Sequence, residues 1–83
     1  METVYVVQGF QNVGGAVMPE KPLLHGFENL ALSHGAELAG QKAGVVVYAQ
    51  KADTDRGEYS LPVILASYGE IPVFGEGGLV SRG

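Results

Sequence analysis

Two short stretches, Val4-Tyr5-Val6-Val7 and Val45-Val46-Val47-Tyr48, are apolar at every position. Successive side chains of a strand point to opposite faces, so each stretch presents apolar groups to both sides of a sheet. Only one other segment has a strong period. Phe27, Leu30, Ala31, His34 and Leu38 recur at helical spacing and predict an amphipathic helix from Phe27 to about Lys42. Glu28 in its first turn and Lys42 in its last suit the helix dipole, and Gly44 is a reasonable stop. One helix covers one face of a sheet. This imbalance is the main constraint on how the chain can fold.

The remaining segments fit a β–β–α–β–β order. Thr3 to Phe10 reads as the first strand, and Asn12-Val13-Gly14-Gly15 as a hairpin loop. Ala16-Val17-Met18 returns as a short strand that Pro19 and Pro22 interrupt, leaving an extended connector. Val45 to Gln50 is the next strand, followed by a charged turn from Lys51 to Glu58. Tyr59 to about Tyr68 is the last strand, broken by Pro62. The expected architecture is a single small α+β domain over residues 1–72, a mainly antiparallel sheet with one helix across one face. Residues 73–83, with four glycines and a serine, read as a flexible tail, although Phe74 could fold back. Gly35 interrupts the helix at a cost of about 1 kcal/mol relative to alanine, so close packing on the sheet is one reason to keep it. With Ala31 and Ala39 it forms a row of small residues.

In 83 residues, Asp and Glu number 9 against 5 Lys and Arg, a net charge of −4. This balance argues against a phosphate backbone or an anionic membrane surface as partner. With no cysteine, disulfide frameworks, thiolate metal sites and cysteine nucleophiles are excluded. No apolar run approaches the roughly 20 residues of a membrane-spanning helix, and the expected location is cytoplasmic.

Asp53-Thr54-Asp55-Arg56-Gly57-Glu58 superficially resembles a calcium loop. Its glycine falls fifth rather than sixth, and the twelfth residue from Asp53 is Ile64 rather than glutamate. A hairpin turn is the better reading, with Asp53, Asp55 and Glu58 as adventitious cation ligands at most. Neither Gly14-Gly15 nor the glycines at 75, 77 and 78 lead into a helix, so no phosphate loop is expected. No serine sits in a nucleophile elbow.

Of the two histidines, His34 lies within the helix's apolar stripe and reads first as a structural residue. As a catalytic or binding group it would need a carboxylate, and Glu37 is three residues away. Tyr48 or Tyr68 could complete such a site in a pocket between helix and sheet or across a dimer interface. His25 is expected to be solvent-exposed, and the two histidines without a third ligand make a poor metal site. No cofactor is expected. The favoured reading is a non-catalytic homodimeric or interaction module, in which a second chain covers the free sheet face or pairs at an edge; the alternative cover is the tail and the connector from Met18 to Gly26. The alternative is a small-ligand binder or enzyme using His34 and Glu37.

Overall fold

A computed structural model describes residues 2–53 and 55–72. They form a small α+β domain with one helix and a mostly antiparallel curled sheet. In chain order the elements are β1 (Glu2–Val13), β2 (Ala16–Pro19), β3 (Leu23–His25), α1 (Glu28–Ala39), β4 (Gly44–Asp53), β5 (Glu58–Tyr59) and β6 (Val63–Gly69). Six strands replace the four expected. Each return arm is split by a proline-containing break, at residues 20–22 in one and 60–62 in the other.

The two long strands, β1 and β4, form the centre and pair antiparallel from Glu2↔Ala52 to Phe10↔Gly44. Both are dense in β-branched residues, which suit a pleated surface flanked on both sides. β2 and β3 share the outer edge of β1, and β5 and β6 share the outer edge of β4. The β1–β2 loop is two residues long, since Val13 pairs Ala16. Gly14 and Gly15 have φ of 60° and 89°, and Asn12 Oδ1 accepts a hydrogen bond from the Gly15 N–H. Only glycine enters that left-handed region without strain, which explains the paired glycines.

One face of the central strands carries Tyr5, Val7, Val45 and Val47, with α1 packed across it. Val7, Ala31, Val45 and Val47 are fully buried there, flanked by Leu32, Leu38, Ala39, Leu65 and Ala66. The helix faces the sheet with Ala31 and Gly35, while Phe27 and Leu30 are 65 % and 51 % exposed. The helical stripe expected from the sequence is therefore rotated toward its small residues. Phe27 is the extended residue before the helix rather than part of it. The helix ends at Ala39, and Gly44 opens β4 rather than terminating α1. A Cβ at Gly44 would overlap the Glu70 carbonyl, so that glycine permits the close approach of the end of β6.

The opposite face carries Val4, Val6, Gln8, Phe10, Val46 and Tyr48. Sequence reasoning gave Val46 and its neighbours to a second chain or, as the alternative, to the tail and the connector from Met18 to Gly26. In the single chain Val46 is only 2 % exposed, Val6 and Phe10 are buried, and Tyr48 is half-buried. The 20–22 connector reaches this region, because the buried Gln8 donates from Nε2 to the Glu20 carbonyl and to that of Gly9. The middle of this face does not depend on a second chain for its burial. The segment expected to be a tail, 73–83, lies outside the described residues, as does Thr54. Among the described residues no helix is long and apolar enough to cross a membrane.

Candidate functional site

His25 and His34 meet at the corner where β3, β1 and α1 converge. β3 is short, yet its ladder with β1 fixes it, with Leu23↔Val7, Leu24↔Val6 and His25↔Tyr5. This pairing sets Leu23 and His25 on the helix side of the sheet and Leu24 on the other. His34 belongs to the inward half of α1, next to Gly35 and one turn after Ala31, both buried.

His25 Nε2 lies 3.0 Å from His34 Nδ1, and the rings stand nearly perpendicular at 88° with centroids 5.1 Å apart. In a neutral pair one nitrogen presents its N–H and the other its lone pair. Both rings are half-buried. The expectation of a solvent-exposed His25 is thus corrected. β3, which the sequence reading took for a connector, docks beside α1 and carries His25 to His34. The composition gave no sign of this contact, because it depends on a three-residue strand placed between Pro22 and the helix.

The other groups expected beside His34 are elsewhere. Glu37 is exposed, and among the described residues no hydrogen bond or ion pair joins it to His34. Tyr48 opposes Val6 and Ile64 on the face away from the helix. Burial there raises the Tyr48 phenol above its ordinary value. Tyr68 opposes Val45 on the helix side but lies on β6, beyond β4, whereas His25 lies on β3, beyond β1, so the two central strands separate them. Gly35 sits directly on Val47, so the helix–sheet interior is filled by side chains at that point.

Asp53 and Glu58 face one another across the β4–β5 hairpin, and the Arg56 N–H bonds the Asp53 carbonyl. Gly57 supplies the left-handed residue of this turn, with φ of 66°. Asp53, Asp55 and Glu58 sit in a turn whose backbone accounts for them. Among the described residues no three His, Cys, Asp or Glu side chains are grouped to hold a metal.

A second polar cluster was not foreseen. The Glu20 carboxylate takes hydrogen bonds from Lys42 Nζ, at 3.0 and 3.1 Å to its two oxygens, and from Gln11 Nε2. It lies against Gly9, where a Cβ would come within 2.8 Å of Glu20 Oε1. These contacts tie the 20–22 connector to β1 and to the turn after α1. The cluster pins the connector, β1 and the turn after α1 to one another.

Compared with protein-family models, with curated proteins and with solved structures, the chain gives no significant match to any of them.

Proposed function

We propose that the chain acts as a non-catalytic self-association module, forming a homodimer by edge-to-edge pairing of β6. The observation that carries this reading is the contrast between the two edges of the sheet. On one edge, β2 and β3 have four and three residues and are separated by Glu20, Lys21 and Pro22. Short strands, charges and prolines are the usual means of keeping an edge from pairing with another chain.

The other edge lacks these devices along β6. Its seven residues, Val-Ile-Leu-Ala-Ser-Tyr-Gly, include no charge and no proline. Among the described residues β6 pairs with β4 alone, leaving its other side open. Leu61, just before it, and Val63, its first residue, are apolar and outside the core, 86 % and 61 % exposed. An antiparallel strand can meet its own copy about a twofold axis, so one unprotected edge suffices for a closed dimer.

Sedimentation velocity across a concentration series tests this directly. Wild-type protein should sediment as a dimer, Leu61→Glu/Val63→Glu as a monomer, and Leu24→Glu, on the protected edge, as a dimer. Wild-type protein that stays monomeric at about 0.5 mM, above the dissociation constant of even weak specific pairs, overturns the proposal. So does a double variant that remains dimeric.

A further inference from the structure

We infer that the His25–His34 contact is a proton-operated latch, which holds β3 on the sheet and releases it when both rings are charged. On the strand side of this bond, other support is slight. β3 has three residues, flanked by Pro22 and Gly26, and its ladder with β1 runs only from Tyr5↔His25 to Val7↔Leu23. Leu23 and Leu24 are both exposed, so the strand buries little apolar surface to hold itself in place.

The proton count sets the switch. In the neutral pair one of the two facing nitrogens, His25 Nε2 or His34 Nδ1, carries the hydrogen and the other offers its lone pair. The accepting ring keeps its own hydrogen on its outward nitrogen. A first proton therefore goes to the outward nitrogen of the donating ring, and the bond survives in charge-assisted form. A second proton has only the accepting nitrogen left, the one inside the contact. Two cations then face each other N–H to N–H with ring centroids 5.1 Å apart, and the bond is gone. Once β3 is released, each ring takes its proton in water, so the open form binds one proton more than the latched form. Acid therefore favours opening, from about pH 6.5 downward, where histidine ordinarily protonates.

No carboxylate among the described residues is in place to absorb the second charge. α1 carries Glu28 and Glu37, both exposed. On the helix side of the sheet β1 brings Tyr5, β4 brings Lys51 and Asp53, and β6 brings Tyr68. None of these is hydrogen-bonded or ion-paired to either ring. Opening strips β3 from β1 and uncovers the β1 backbone from Tyr5 to Val7, a new sheet edge on the side away from β6.

Ring-nitrogen NMR and amide hydrogen exchange on the full chain, from about pH 7.5 to about 4.5, test the latch on both sides of the ordinary histidine value. At the upper end a scalar coupling should join His25 Nε2 and His34 Nδ1 across the hydrogen bond, and at the lower end it should vanish. Over the same range the protection of the β3 amides, corrected for intrinsic exchange, should fall relative to the β1–β4 ladder. The expected fall is roughly 2- to 12-fold, the worth of one net hydrogen bond. His34→Ala should begin with that protection already lost and show no further fall in acid. Absence of the coupling at neutral pH, or a coupling that persists once both rings are protonated, overturns the proposal. So does β3 protection that stays flat, or that falls equally in wild-type and His34→Ala protein.

Discussion

Gly35 of α1 lies so close to Val47 of β4 that a Cβ at position 35 would overlap the valine Cγ2. This contact sets the distance between helix and sheet. Ala31, Gly35 and Ala39 stand one turn apart, and their short side chains let the helix approach the valines of β4. Gly35→Ala improves helix propensity by about 1 kcal/mol. The overlap outweighs that gain, since overpacking a filled core costs about 1–3 kcal/mol. Net destabilisation in urea denaturation is expected. Val47→Ala makes room for the added methyl, so the double variant should be more stable than the two single effects predict. Strict additivity would mean that the helix stands further from the sheet.

The rotation of α1 gives a second test. Leu38 is half-buried against the core, whereas Leu30 is half-exposed one turn before His34. Leu38→Ala should cost about 1–3 kcal/mol, below the full range for a completely buried leucine. Leu30→Ala should stay within about 0.5–1 kcal/mol, because it removes little buried surface. Chemical denaturation of the two variants decides the matter. Equal losses would restore the stripe read from hydrophobicity alone.

His25 and His34 should be energetically coupled. A typical hydrogen bond contributes a net 0.5–1.5 kcal/mol, and a double-mutant cycle with His25→Ala and His34→Ala should recover about that much. Glu37→Ala serves as the contrast. Its side chain is exposed and has no bond to His34, so its effect on stability should fall within about 0.5 kcal/mol, with no coupling to His34.

These residues show what local pattern can reveal in a chain of this kind. The central strands were legible because Val4 to Val7 and Val45 to Tyr48 are short runs of β-branched and aromatic residues, and the first hairpin because Gly14-Gly15 permits a left-handed two-residue loop. The helix was legible as an element but not in its orientation. Hydrophobicity favours turning Phe27 and Leu30 inward, yet close packing on the valines favours Ala31 and Gly35, and packing wins. β3 was hidden because three residues between Pro22 and Gly26 carry almost no periodicity and form a strand only through β1. With β3 went the histidine pair, since nine residues of separation say nothing until two elements are docked. The connector was one of the covers the sequence allowed for the face opposite the helix, but the contact that seats it was not legible. Gln8 holds the 20–22 connector through a backbone carbonyl, a contact with no signature in residue type.

Tyr48 makes stability depend on alkaline pH. Burial raises its phenol above the ordinary value near 10. The unfolded chain therefore releases this proton at lower pH than the folded one. Between the two values the folded state binds more protons, and unfolding free energy falls as pH rises. Tyr48's contribution is fully present below pH about 10 and is lost as pH climbs through the raised folded value. Tyr48→Phe cannot ionise and keeps the ring between Val6 and Ile64, the positions that oppose Tyr48 in the sheet. Urea denaturation of both proteins from pH 8 to 11.5, about two units below to one and a half above the ordinary phenol value, isolates the effect. The difference in stability between the two should be flat below pH about 9 and should move in favour of the phenylalanine variant above about 10. A difference that stays constant over the whole range would place the Tyr48 hydroxyl in water rather than in the sheet.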